Sequence, residues 1–492
     1  MTLSKSLLTC ALAFGLMWTS HAAEKLNFVF FLVDDLGYMD MGFNNPESFY
    51  ETPNCDRLAA EGTVLTEAYA ASQVCSPTRA SILCGKYPAR MDATNFFSGK
   101  RAGRFEPAEF VDRMALEEVT LAEAMKEAGY ATCFAGKWHL GPEGFWPQDQ
   151  GFDHNFGGGS NGLPRSYFEP YKNVTNLEPR KPGEYLTDRL AEECTGFLDS
   201  VKDDPFLLYL SFYNVHTPLQ APKELVEKYK KKAETMGYAQ LEDSVRFSDT
   251  RLPQVWPDTK TARRVRVLQD HAVYAAMIES MDRAVGKVAA KLEALGLSEN
   301  TAIFFMSDNG GLSTSEGSPT SNLPYRGGKG WMYEGGLREP VFVKWPGVTK
   351  PATRNSTPIV STDFYPTILE MAGLPAKPEQ HVDGVSFAKL LRDPEATLER
   401  EAIYWHYPHY SNQGGLPASA VRMGEFKLIE DLETGDVELY SLLDDPEEHN
   451  NLEQLYPEKV EEMRKKLQTW RQEVGAKMLR PNAKTGEAPP EL

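Results

Sequence analysis

The run NFVFFLV at residues 27–33 constrains this chain more than any other feature: after its first residue it carries no polar side chain, and it ends in Asp34 and Asp35. A half-exposed strand alternates apolar and polar residues, so an uninterrupted run of this length asks to be buried on both faces. The same unit returns along the chain. A helix expected over about 121–127 precedes "YATCFAGKWHLG", and one over 185–200 precedes "PFLLYLSFYNVH". Apolar residues at helical spacing over 268–295 stop at Gly296, just before "TAIFFMSDNGG". Another helix, about 54–60 with Gly62 as its stop, leads into a further short strand. Helix and buried strand alternating in this way predict an α/β fold, a large mixed, mostly parallel sheet sandwiched by helices.

Two stretches break that rhythm. Residues 218–266 are polar and read as a helical insertion or lid, with the lysine run at 228–232 as a solvated face. From about Ala402, short alternating strands in "AIYWHYP", "ASAVRMGEFKLIE" and "VELYSLL" precede a charged helix over 457–474, which predicts a smaller antiparallel sheet with one helix. The tail after Leu479 is expected to fray. The expected division is a catalytic domain over 24–398 and a C-terminal α+β subdomain over 399–492. Residues 1–23 hold Lys5, an apolar run over 7–18, then Ser20, Ala22 and Ala23. That is the pattern of a secretory signal peptide, too short to span a bilayer, and it predicts a soluble protein exported to the periplasm or beyond.

The formal net charge of −18 argues against nucleic acid or an anionic membrane as partner. An anionic substrate must therefore find a local basic pocket. Of six cysteines, Cys10 lies in the leader, and the odd remainder, Cys55, Cys75, Cys84, Cys133 and Cys194, leaves at least one thiol unpaired.

Candidate chemistry gathers at strand ends. Asp34 and Asp35 close one strand and Asp308 and Asn309 another, at the carboxyl edge where open α/β sheets bind ligands. Three carboxylates and an amide oxygen form a hard donor set suited to Ca2+, with Mg2+ as the alternative. Either pair alone is an ordinary turn signal; two pairs at equivalent strand ends favour the metal. Adjacent strand residues face opposite ways, so both members of a pair converge only where the chain turns, and Gly37 and Gly310 are expected to supply that freedom. In "CSPTR", Cys75 or Ser76 is expected to cap a helix that starts at Pro77 and closes at Gly85. The thiol would then sit at a helix N-terminus, where an anion is favoured. Alone this suggests a reactive thiolate, yet no histidine lies nearby in sequence.

"CSPTRASILCG" resembles the signature of the formylglycine-dependent sulfatases, in which Cys-x-Pro-Ser/Thr-Arg opens a segment ending in Gly. "FFLVDDLGYMDMG", "GKWHLG", "FYNVHTP", "FFMSDNGG", "RGGKGWMYEGGLREP", "DGVSF" and "ELYSLLDDPEEHNNL" follow in that family's order, from about residue 27 to 452. The resemblance implies the alkaline-phosphatase-like fold and hydrolysis of sulfate monoesters. It implies that a separate formylglycine-generating maturation enzyme oxidises Cys75 to 3-oxoalanine. The aldehyde hydrate then has two hydroxyls, one to attack sulfur and one to help expel sulfate. The metal would rest on Asp34, Asp35, Asp308, Asn309 and formylglycine 75. Arg79, one helical turn on, would reach the activated hydroxyl. Lys137 and His139 would contact formylglycine and sulfate, His139 as base, and His216 and Lys329 would bind sulfate and protonate the leaving alcohol. Ser160, after the "GFD" segment, is a looser match for a further sulfate contact.

Specificity is expected from loops around this centre. "NFFSGKRAGRFEPAEF" brings Arg101 and Arg104, "NGLPRSYFEPYKN" brings Arg165 beside Tyr167 and Tyr171, and "YWHYPHYSNQGG" brings His406 among Trp405, Tyr407, His409 and Tyr410. Aromatics interleaved with bases suit sugars bearing sulfate, so the expected substrate is a sulfated poly- or oligosaccharide. Three readings compete: a phosphodiester or phosphonate monoester hydrolase built on the same metal, an inactive glycan-binding relative, and a hydrolase that uses the Cys75 thiol directly.

Overall fold

The apolar run becomes the strand Asn27–Val33 near the middle of an eight-stranded sheet. The computed structural model describes residues 25–101, 103–252 and 263–492; the leader expected at 1–23 lies outside the described residues. Across the sheet the strands run Thr353–Asn355, Thr63–Leu65, Val341–Lys344, Thr301–Ser307, Asn27–Val33, Phe206–Ser211, Ala131–Gly136 and His154–Phe156. Val341–Lys344 is antiparallel to both neighbours, and the other pairings are parallel. The expected mixed, mostly parallel sheet is what the chain forms.

Both faces of the sheet are covered, as the unbroken apolar run requires. Val29, Phe31 and Val33 pack into one core with the helices Pro53–Ala60, Leu186–Ser200 and Ala272–Ala294. Phe28, Phe30 and Leu32 face the opposite core, under Cys75–Cys84, Leu121–Glu127 and Phe364–Met371. Strand alternation sends neighbours to opposite sides, and each side meets a helix layer.

The polar stretch expected as a helical insertion or lid is the former in its first part. The helix Lys223–Thr235 buries Leu225, Tyr229 and Ala233 in the first core, so it is a packed layer rather than a cover. Its Lys228 and Lys232 pair with Glu51, 2.6 and 2.9 Å away, instead of standing only in solvent. A hairpin of Phe247–Leu252 and Arg263–Arg266 completes the segment; residues 253–262 between them lie outside the described residues.

The second sheet has four antiparallel strands in sequence order, Ile403–Tyr407, Ala418–Met423, Phe426–Asp431 and Val437–Ser441. The stretch "ASAVRMGEFKLIE" is thus two strands, turned at Gly424, whose φ of +59° is the left-handed conformation glycine takes without strain. Helix Pro457–Glu473 covers one face through Met463, Leu467 and Trp470. The other face packs Trp405 and Tyr407 against Tyr69 and Val360 of the main body. The tail is docked rather than frayed: Leu479 is buried with Phe105, and Arg480 bridges to Glu106.

Candidate active site

Asp34 and Asp35 leave the central strand fully buried, and Asp308 and Asn309 leave the adjacent parallel strand in the same register. Asp35 itself, not Gly37, takes the left-handed turn, at φ +61°, which aspartate tolerates better than most side chains. Gly37 and Gly310 serve close approach instead. A Cβ on Gly310 would lie 1.9 Å from the Gly335 carbonyl, and one on Gly37 would lie 2.5 Å from Asn322 Oδ1.

Cations from three other segments close on these acids. Arg79 donates from Nε to Asp308 Oδ2 at 2.8 Å and from Nη1 to the Lys137 carbonyl and Ser211 Oγ. Its guanidinium thus clamps Asp308 and the Lys137 carbonyl while still interacting electrostatically with Cys75. Lys137 Nζ lies 2.7 Å from Asp34 Oδ2, and Lys329 Nζ lies 2.8 Å from Asp35 Oδ2. Burial pushes the Asp34 carboxyl well up, aided by Asp308 and Asp35 and opposed by Lys137. Burial also pushes on Asp35, but Lys329 and His216 outweigh it and hold that carboxyl below its usual range.

The donor set fits a divalent cation. Carboxylate oxygens of Asp34, Asp35 and Asp308 lie within 4.8 Å of one another. Asp34 Oδ1 and the Asn309 amide oxygen, both buried, have no hydrogen-bond partner. Buried oxygen acceptors left unpaired in an all-oxygen cluster are what a hard ion would satisfy.

Cys75 begins the helix Cys75–Cys84, whose N-cap is Val74 with no side-chain cap. The helix starts two residues earlier than expected because Ser76 spends its hydroxyl elsewhere, donating to the His139 carbonyl and accepting from the Phe97 amide. Gly85, at φ +66°, closes the helix as expected. The histidine that sequence proximity could not supply arrives from 64 residues away: His139 Nδ1 stands 3.4 Å from Cys75 Sγ. Its Nε2 faces the Phe97 carbonyl at 3.2 Å, an acceptor only, so Nε2 carries the proton and Nδ1 presents a lone pair to residue 75. Burial, then Lys137 and Arg79, hold this imidazole well below its ordinary range and keep it neutral. Gly162 makes room for the ring, since a Cβ there would meet His139 Cε1 at 2.5 Å and Nδ1 at 2.7 Å. Gly162→Ala should therefore displace the imidazole and lower kcat roughly tenfold to hundredfold with little change in unfolding midpoint. A steady-state comparison checks it, and wild-type kcat in the variant would refute the assignment.

His216 donates from Nδ1 to the Thr217 carbonyl and turns Nε2 into the site, 3.6 Å from Asp35 Oδ2. Burial, then Lys329, lower it to about 4, against the pull of Asp35. Tyr167, one of the aromatics read as a sugar platform, is buried and donates to the Tyr213 and His216 carbonyls, which fixes this loop from behind.

A cleft of about 440 Å³ opens over Cys75, His139, His216 and Lys329. Ser160 and Arg165 line it, as expected. Arg101 stands just outside, hydrogen-bonded to Asn412, which does line it. Arg104 is not part of the wall and pairs with Glu487 at 3.1 Å. His406 does not reach the cleft either: it is buried, with Nδ1 against Ser419 Oγ and Nε2 against the Lys477 carbonyl. Its strand is covered on both faces, so the aromatics of "YWHYPHY" pack inside while the polar pair Asn412 and Gln413, just beyond them, faces the cleft. Glu316 also lines it and belongs to no motif. A larger cavity of about 690 Å³, between Phe43, Pro53 and Arg354, holds none of these groups.

Strand-end acids set among Lys137, Lys329, His139 and His216 beneath an open cleft suit the binding and hydrolysis of an anionic ester. The family profile described as Sulfatase matches residues 26–374, and one described as N-sulphoglucosamine sulphohydrolase, C-terminal, matches residues 327–473. A sulfatase of Formosa agariphila is 31% identical, over 94% of this chain and 91% of its own length. The N-acetylgalactosamine-6-sulfatase of Mus musculus is 29% identical, over 87% of this chain and 76% of its own. The crystal structure of Ps i-CgsB in complex with k-i-k-neocarrahexaose superposes with a TM-score of 0.72 at 27% identity, covering 91% of this chain and 93% of that one. The chain belongs to the sulfatase family and is a sulfuric ester hydrolase.

Proposed function

We propose that this sulfatase removes sulfate from a sulfated poly- or oligosaccharide, with residue 75 matured to formylglycine and a divalent cation, Ca2+ or Mg2+, held by Asp34, Asp35, Asp308 and Asn309. The wall of the cleft carries the carbohydrate assignment. It is built from polar side chains such as Ser98, Ser160, Asn161, Asn173, Asn412 and Gln413, with Phe96 and Leu163 as apolar exceptions. An apolar leaving group would leave those donors and acceptors unpaired, whereas sugar hydroxyls satisfy them. The hexosamine sulfate in one relative's name and the neocarrahexaose bound to the other point the same way.

When present, the cation supplies charge that offsets the anionic ester, and the formylglycine hydrate supplies an oxygen nucleophile with a second hydroxyl through which the aldehyde returns. The rest falls to the chain's own residues. His139 Nδ1 is the base aimed at residue 75. Lys137 and Lys329, each already on a carboxylate, place positive charge where sulfate oxygens would lie. His216 Nε2 faces the same space, and an anionic ester against it would favour its protonated form, the state that hands a proton to the leaving alcohol. Every residue of Cys75–Cys84 is buried, so the maturation enzyme must meet the segment before this helix packs. We assign the enzyme outside the cytoplasm on the strength of the leader-like residues 1–23; among the described residues no helix is long and apolar enough to cross a membrane. We likewise assign catalysis to residues 24–398, with 399–492 as a supporting subdomain.

Sulfate release from defined sulfated oligosaccharides, measured beside 4-nitrophenyl sulfate and the matching phosphate esters, tests the reading. At least one glycan should exceed the aryl ester about tenfold in kcat/KM. An aryl sulfate turned over as well as every glycan would sink the carbohydrate assignment.

The 3.4 Å contact of Cys75 with His139 favours a second reading, direct use of the thiol. Iodoacetamide should inactivate such an enzyme and spare a formylglycine one.

A further inference from the structure

Sulfate chemistry assigns no task to the carboxylate at the mouth of the cleft. Glu316 stands with Oε2 4.0 Å from His216 Nε2, in a pocket that must accept an anion, where an idle negative charge would only repel substrate. Its position is enforced. Glu316, Gly317 and Ser318 all have positive φ, at +53°, +91° and +41°, a turn that persists only where neighbours hold it. Gln413 provides that hold, donating from Nε2 to Glu316 Oε1 at 2.5 Å. A flipped amide would set oxygen against the carboxylate; as placed, its Oε1 accepts from Ser411 Oγ at 2.8 Å, and the Thr314 hydroxyl ties the Gln413 carbonyl at 3.1 Å. One carboxylate oxygen is thereby occupied, and the other keeps its lone pairs toward His216, where the leaving oxygen of the ester would sit.

We propose that Glu316, oriented by Gln413, determines specificity by accepting a hydrogen bond from a free hydroxyl next to the scissile sulfate, and rejects a sugar that carries a second anionic group there. This rests on the carbohydrate reading above. A hydroxyl donates to a carboxylate with roughly twice the strength of a neutral pair, while a neighbouring sulfate or carboxylate meets like charge within a few ångströms at the mouth of the cleft.

The test uses the full, matured enzyme and methyl hexoside monosulfates. The best substrate among them is compared with its analogue deoxygenated at the neighbouring carbon and with the vicinal disulfate. In the wild type the hydroxyl substrate should exceed the deoxy compound about tenfold to hundredfold in kcat/KM, and the disulfate by at least as much. Glu316→Ala should bring the hydroxyl-to-deoxy ratio to within about threefold of unity, and Glu316→Gln, which keeps the shape, should chiefly recover the disulfate. Gln413→Ala, which frees the carboxylate to swing, should lower both ratios. Thermal unfolding of each variant separates a lost contact from a lost fold. The proposal is overturned if the wild-type ratios lie near unity, or if Glu316→Ala keeps them while all substrates, 4-nitrophenyl sulfate included, fall together. Should the wild type hydrolyse 4-nitrophenyl sulfate and none of the hexoside sulfates, the carbohydrate reading itself fails and takes this one with it.

Discussion

Cys75→Ser should lower sulfate turnover by at least about 10⁴-fold, the scale on which removing a nucleophile acts. The serine hydroxyl would occupy the same first position of the helix, facing the His139 lone pair that stands 3.4 Å from the native sulfur. It could attack sulfur, yet it has a single oxygen, and with no second hydroxyl on the same carbon nothing expels the sulfate once it is attached. The expected record is at most one equivalent of substrate consumed per enzyme, with sulfate retained on residue 75 in the intact mass. The native protein, from a host with the maturation system, should show that peptide with sulfur exchanged for oxygen and two hydrogens lost, the mass of the aldehyde rather than of a serine. Turnover by Cys75→Ser within about tenfold of wild type would defeat the formylglycine assignment, and native protein with an unmodified thiol and no turnover would favour a binding role.

The second large effect concerns stability. Arg79 is 3% exposed and is the clamp between Asp308, Asp34, the Lys137 carbonyl and the Ser211 hydroxyl. Removing one partner of a buried ion pair leaves an uncompensated charge and costs about 3–5 kcal/mol. Arg79→Ala should lose that much in denaturant unfolding with a chelator present, when Asp34, Asp35 and Asp308 face only Lys137 and Lys329. Excess Ca2+ or Mg2+ should shrink the loss, because an ion that binds the folded acids restores positive charge and stabilises by mass action. A loss below about 1 kcal/mol in chelator, or one that ignores the added ion, would refute this account of the cluster.

Much of the centre was legible in the sequence because its parts are tied to backbone signals. Asp34, Asp35, Asp308 and Asn309 end apolar strands that had to be buried, and parallel neighbours with matched register bring their ends together. Lys137, His139 and His216 likewise follow the ends of Ala131–Gly136 and Phe206–Ser211. The substrate loops were read less well, for a physical reason. "YWHYPHYSNQGG" was singled out for its aromatics and bases, yet Trp405 donates to the Ala70 carbonyl in the core and His406 is spent on Ser419 and Lys477. Composition says that a segment has rings and charges; burial of both sheet faces decides that its plain amides, Asn412 and Gln413, are what remain for a ligand. Glu316 carried no signal beyond a turn-like Ser-Glu-Gly-Ser.

The sequence by itself determined the layered sheet, the acids at its carboxyl edge and the place of residue 75 at the head of its signature, since apolar periodicity, strand ends and short motifs are local properties of the chain. Tertiary structure alone decided which side chains touch. It brought His139 to Cys75, seated Arg79 on Asp308, and set Glu316 against Gln413. Contacts across 64, 229 and 97 residues depend on how helices and sheets pack, and no short-range pattern encodes that geometry.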